Sequence, residues 1–242
     1  LAPEGDGPHP TVVWLHGGPS EHIGHTFSAY FQVIVGGGYA VFAPNYRGSS
    51  GRGPEFASSV VGHLGEMDAA DVRAGLDVMI ERGLIHPHKF AIWGWHYGAS
   101  LGLLLGSRDG LASKVIIVGS PFVDWVAAFG AIADPSPMEK YFLAKWWENR
   151  KPFDLVSPIT YASKIEAPVL LIQGQQDRLL PLSQCMLLYR ALKAQDIPTD
   201  LIYYVNEGHV LRGAGAVRDM LHRALQWLDQ YMGEQKPELC KD

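Results

Sequence analysis

Three positions in this sequence, His96, Asp177 and His209, are of the types and in the local settings that could act together on a substrate. The most constrained is His96. Residues 91–100 read as an apolar strand that runs through Gly94-Trp95-His96-Tyr97-Gly98 into a helix. Glycines two residues before and two after an apex are what a very sharp strand-to-helix turn requires, because side chains there would collide. The apex of such a turn takes positive φ and lifts its side chain clear of the sheet, and histidine tolerates that conformation better than most residues. An imidazole so presented can accept a proton, attack an activated ester or ligate a metal. Asp177 follows the strand pattern Val169–Gln173, and His209 follows Leu201–Val205. A carboxylate beside a second imidazole holds that ring in one tautomer and stabilises its charged form. Asp124, past the preceding strand, is the rival acid. His222 is a poorer base because it lies inside a helical pattern.

Acyl transfer also needs N–H donors for a developing oxyanion, one after the apex and one from the loop after an early strand. Tyr97 and the pair Gly17 and Gly18, within His16-Gly17-Gly18-Pro19, stand in those places. Trp125, Phe129, Trp146 and Trp147, with Tyr141 and Phe142, either roof a substrate pocket or pack a helix to the core, and both readings stand. A two-histidine, one-carboxylate metal site at His96, Asp177 and His209 has no short histidine motif behind it, and no metal or cofactor is expected. Histidines 16, 22 and 25 read as loop residues.

Positioning these groups requires a frame. Strand patterns at Val12–Leu15, Tyr39–Ala43, Phe90–Trp93, Lys114–Val118, Val169–Gln173 and Leu201–Val205 alternate with helical patterns around Phe27–Val35, Asp68–Arg82, Tyr97–Leu105, Ser183–Ala194 and Val217–Tyr231. Such alternation predicts a parallel sheet with helices on both faces and chemistry at the strands' carboxyl ends. The 242 residues are read as one domain, residues 1–242, with a proline-rich excursion at 133–158 crossing the active-site edge. A net charge of −5 argues against nucleic-acid or anionic-membrane partners. No apolar run reaches the roughly 18 residues of a membrane span, and no signal-peptide pattern opens the sequence, so cytoplasm is the expected location. Only Cys185 and Cys240 occur, and both are expected reduced. Gly36-Gly37-Gly38 precedes a strand, and Arg47–Gly53 lacks a P-loop ending, so neither reads as a phosphate cradle.

With these motifs in order, the chain resembles the catalytic domain of the prolyl oligopeptidase family, peptidase family S9, nearest its acylaminoacyl-peptidase branch. The resemblance rests on His16-Gly17-Gly18-Pro19, Asn45-Tyr46-Arg47-Gly48-Ser49, the turn at His96, Ser157-Pro158, Gly174 to Asp177, and Glu207-Gly208-His209, which run in family order along nearly the whole chain. It implies an α/β-hydrolase fold and a triad ordered nucleophile, acid, base, falling on His96, Asp177 and His209. The position of the family's serine holds His96. Acyl-peptides, short peptides or small esters are the implied substrates, with ordinary serine hydrolysis lost or much reduced. The alternatives are hydrolysis through a His96 nucleophile or through water activated by His209, and a non-catalytic binding module on the same fold. Family members commonly carry a β-propeller and further strands before the His-Gly-Gly-Pro segment. A truncated N-terminus, and a homodimer or a missing propeller domain, are therefore expected.

Overall fold

Six apolar segments pair as parallel strands in the order β2-β1-β3-β4-β5-β6 in the computed structural model, which describes residues 1–132 and 134–233. The strands are β1 His9–Leu15, β2 Ala40–Phe42, β3 Ile85–Trp95, β4 Val115–Gly119, β5 Val169–Gly174 and β6 Thr199–Tyr204. Each lies on a segment expected from its apolar run. β3 begins earlier than its pattern suggests, because His86, Pro87 and His88 interrupt the apolar run while Ile85 still pairs with His9 across a register shift. At the sheet edge, Leu1 exchanges two backbone hydrogen bonds with Val41 of β2, at 2.8 and 3.2 Å.

Among the described residues, nine α-helices connect and flank these strands: α1 Ala29–Gly36, α2 Pro54–Ser58, α3 Met67–Glu81, α4 Tyr97–Gly106, α5 Trp125–Phe129, α6 Ser136–Phe142, α7 Lys151–Val156, α8 Leu182–Lys193 and α9 Ala214–Met232. A 3₁₀ turn at Pro158–Lys164 leads into β5. Successive strand residues point to opposite faces, which explains why the strands read as unbroken apolar runs. Val12, Ala91, Ile117 and Leu170 pack with α1 and α9 on one face. Val13 and Ile92 pack toward α3, and Ile116 and Leu171 toward α8, on the other. α4 lies on that second face and sends Leu101 and Leu104 to one cluster, Ala99 and Leu103 to the other. This is the expected α/β-hydrolase architecture. The described part of the excursion holds α6, α7 and the start of the 3₁₀ turn, helices too short for periodicity to announce them. Cys185 is a buried free thiol, and Cys240 lies outside the described residues. Among the described residues, no helix is long and apolar enough to cross a membrane.

Candidate active site

β3 ends and α4 begins within one residue, and that residue is His96, with φ 55° and ψ −120°. A side chain on Gly94 would strike the backbone of Gly98, and one on Gly98 would strike the carbonyl oxygens of Leu15 and His16. The two glycines are therefore the steric condition for the turn, as the sequence spacing predicts. The turn is anchored by the His96 N–H, which donates to Gly119 O at 2.9 Å.

β5 and β6 deliver the other two groups. His209 donates from Nδ1 to Asp177 Oδ2 at 2.8 Å, and the carboxylate is buried. Gln173 Nε2 donates to the same oxygen at 3.0 Å, while Oδ1 accepts from the N–H groups of Leu179 and Leu180, both at 2.8 Å. Burial pushes the Asp177 carboxyl up, but the bonds from His209 and from the Leu180 and Leu179 amides outweigh it and hold the group below the ordinary carboxylate range. Asp177 is thus an ionised acceptor for His209. Trp95 Nε1 donates to His209 O at 2.9 Å, and Glu207 accepts from Arg212 N and Gly213 N at 2.7 and 2.9 Å, which closes the loop that carries the histidine.

The two imidazoles meet edge to face, ring centroids 4.9 Å apart and planes at 88°. With Nδ1 given to Asp177, His209 keeps Nε2 as its free nitrogen. His96 Nδ1 accepts a hydrogen bond from Gly18 N at 3.3 Å. One of the two expected oxyanion donors is therefore occupied by the apex side chain. Tyr97 is the first residue of α4, so its N–H is one of the orphan donors of a helix start. Gly17 O lies 2.8 Å from His16 Nδ1, and His16 stacks on Tyr46 at 4.2 Å. His16 lies in the loop after β1, as expected, and is buried there, its Nε2 2.8 Å from Ser49 Oγ.

The pocket aromatics divide. Trp125 is buried, donates from Nε1 to Val156 O at 3.0 Å, and stacks on Phe122 at 3.9 Å; Phe122 in turn meets the His96 ring at 5.0 Å. Phe129, Trp146 and Trp147 pack on one another at 5.7–6.4 Å, and Trp147 is 54% exposed. Among the described ring contacts, none joins these three to His96. Phe122 and Gln173 are site residues that the sequence reading missed. Phe122 gives no sequence cue, whereas Gln173 is a polar residue ending a buried strand, which is one. Asp124 is an N-cap for α5, accepting from Val126 N and Ala127 N at 2.9 and 3.0 Å, and it is Asp177 that meets His209. Arg47 is held by Asp71 at 2.7 Å. Among the described residues, no group of three or more His, Cys, Asp or Glu side chains could hold a metal ion.

The profile of the prolyl oligopeptidase family matches residues 25–235. The chain belongs to the prolyl oligopeptidase family. It is 31% identical over 240 residues to the uncharacterized peptidase YuxL of Bacillus subtilis, covering 95% of this chain and 36% of that protein. It is 30% identical over 235 residues to the acylamino-acid-releasing enzyme of Rattus norvegicus, covering 93% and 32%. The chain thus spans about a third of the length of these relatives. Among solved structures, a puromycin-hydrolyzing peptidase of Mycobacterium tuberculosis superposes with TM-score 0.89 at 26% identity, over 97% of this chain and 36% of that one. An acylaminoacyl peptidase in complex with Z-Gly-Gly-Phe-chloromethyl ketone shares the fold, with TM-score 0.89 at 22% identity over 99% and 40%.

Within this family frame, the enclosure of His96 has a measurable signature. Burial pushes its imidazole from 6.5 down to about 3; the His209 charge adds to the shift and the Asp177 carboxylate opposes it. Below pH 6.5 the unfolded chain takes up a proton that the folded state refuses. The stability held by this group is therefore fully present above that pH and is lost as pH falls toward about 3, at most about 5 kcal/mol. His16, also pushed down chiefly by burial, acts in the same direction. Urea midpoints at about pH 7 and about pH 4.5 are expected to differ less for His96→Ser than for the native protein. Equal differences would show that His96 is not enclosed.

Proposed function

We propose that this is a hydrolase-type domain built for acyl-peptides, short peptides or small esters. In it His96 takes the place of the serine nucleophile, so that ordinary serine hydrolysis is lost or much reduced. The names of the relatives support the substrate class: they include acylamino-acid-releasing enzymes and puromycin-hydrolyzing peptidases. One observation carries the loss of hydrolysis, the hydrogen bond from Gly18 N to His96 Nδ1.

That bond decides the tautomer. A neutral imidazole has one N–H and one acceptor nitrogen, and its depressed pKa keeps His96 neutral near pH 7. If Nδ1 accepts from Gly18, Nε2 carries the proton and no free lone pair remains to attack a carbonyl. The ring also occupies a donor that a tetrahedral oxyanion would need. An acyl-imidazole route through His96 would require the Gly18 bond to break and the tautomer to switch. Meanwhile His209 and Asp177 keep the geometry of a general base and its orienting acid.

The reading is tested with chromogenic acyl esters and acyl-amino-acid anilides. The native protein is expected to show rates near the uncatalysed background, and His96→Ser to turn these substrates over. Robust native turnover that His209→Ala abolishes would transfer the assignment to imidazole or water chemistry. Saturable binding of acyl-peptides, with no turnover by either protein, would favour a binding module.

A further inference from the structure

The carboxylate of Asp68 is fully buried and has no part in the chemistry described above. It lies in the first turn of α3, and Oδ1 accepts from Ala69 N at 2.8 Å, an ordinary use of an aspartate at a helix start. That use does not require burial, and burying a carboxylate is costly unless strong partners compensate. The strongest partner comes from 29 residues away: Oδ2 accepts a hydrogen bond from the phenol of Tyr97, which lowers the carboxyl without overcoming the upward push of burial. The Tyr97 oxygen in turn accepts from Gly65 N at 3.2 Å. Tyr97 is itself 2% exposed, so its ring is clamped along its length.

Tyr97 opens α4 directly after the apex, and in the acyl-transfer reading its backbone N–H is an oxyanion donor; a side chain held at its far end limits how far that residue can shift. The second donor arm adjoins the same buried cluster. Tyr46, whose phenol is pushed up by burial and by the Asp68 charge, donates to His16 O at 2.5 Å, one residue before Gly17 and Gly18.

We propose that Asp68 is a positioning residue that holds the Tyr97 phenol from beneath the turn and thereby sets the direction of the Tyr97 N–H toward a substrate carbonyl. The proposal rests on the reading of this site as an acyl-transfer site, but its geometric part does not depend on turnover. Asp68 touches neither substrate nor the reacting atoms; it acts through Tyr97. In Asp68→Asn the amide must offer oxygen to both Ala69 N–H and the Tyr97 hydroxyl or turn its NH₂ toward one of them. The phenol loses its charged acceptor in either case.

The test has two arms. In the native His96 protein labelled with ¹⁵N-tyrosine, the Tyr97 amide signal is assigned by its loss in Tyr97→Phe. In Asp68→Asn that signal is expected to move while the amide of Tyr203, on β6, stays in place. In the His96→Ser background, with acetyl-phenylalanine 4-nitroanilide, Asp68→Asn and Tyr97→Phe are each expected to lower kcat about tenfold to a hundredfold with little change in KM. That is less than loss of a whole oxyanion donor. An unmoved Tyr97 amide, or a lowered melting temperature with kcat intact, would overturn the proposal and leave Asp68 a structural residue. If His96→Ser itself shows no turnover, the hydrolase reading fails and the amide shift alone decides Asp68. If Asp68→Asn does not fold, Tyr97→Phe carries the kinetic arm.

Discussion

Asp177→Asn, placed in a His96→Ser background, is expected to lower turnover of acyl-amino-acid anilides about ten-thousandfold while the protein stays folded. The expectation comes from where the four hydrogen bonds to this carboxylate originate. Oδ1 faces two backbone N–H groups, of Leu179 and Leu180, which cannot rotate away. An asparagine at this position must therefore keep its oxygen there and turn its NH₂ toward His209 Nδ1 and Gln173. Facing a donor, His209 Nδ1 becomes an acceptor and Nε2 takes the proton, so the ring cannot accept one from the nucleophile. Gln173 adds to the conflict, because its own Nε2 meets the new NH₂ and its Oε1 already accepts from Cys185 at 3.2 Å. Single-turnover kinetics, with circular dichroism as the folding control, measure the loss. A loss under tenfold would mean that Asp177 does not set the His209 tautomer.

Gly98→Ala is expected to destabilise the fold by more than about 4 kcal/mol, enough to deplete soluble protein. The added methyl would overlap the carbonyl oxygens of Leu15 and His16, which are backbone atoms at the end of a central strand. Neither can retreat without breaking the β1–β3 pairing from Val13 to Leu15. Gly215, in the first turn of α9, provides the contrast: a Cβ there meets nothing within 4 Å. Gly215→Ala is expected to be neutral or stabilising by up to about 1 kcal/mol. Urea unfolding of both variants separates the steric claim from a general intolerance of alanine for glycine, and equal stability of the two would refute it.

The fold was legible in the sequence because buried parallel strands leave an unmistakable trace. Val12–Leu15, Val115–Val118 and Val169–Ile172 are apolar on both faces, and helices cover both faces. The turn was legible for a similar reason: the collision that Gly94 avoids, with the backbone of Gly98, is local and its spacing reports it, whereas the one that Gly98 avoids, with Leu15 and His16, lies across the fold. Asp177 and His209 could be placed because each sits just past a strand end. What escaped was contact across the fold. Nothing in the sequence says that Gly18 N reaches His96 across 78 residues, that Phe122 lies against the apex imidazole, or that Asp68 reaches the Tyr97 phenol. The aromatic excursion was half legible. Its residues read as lining or packing, but the split between Trp125, which reaches the site through Phe122, and the Phe129–Trp146–Trp147 cluster is set by tertiary packing. Helices of five to seven residues, such as α5, α6 and α7, carry too few turns for periodicity to reveal them.

The central claim is that the machinery around residue 96 is complete for acyl transfer and that His96 alone withholds the nucleophile. The most direct measurement is the rate of anilide and ester hydrolysis by the native protein and by His96→Ser, side by side, with His209→Ala added to each. The account predicts background rates for the native protein, a gain of about a thousandfold or more for His96→Ser, and loss of that gain when His209 is also removed. A native protein as active as His96→Ser, or a serine variant as inert as the native protein, would contradict it.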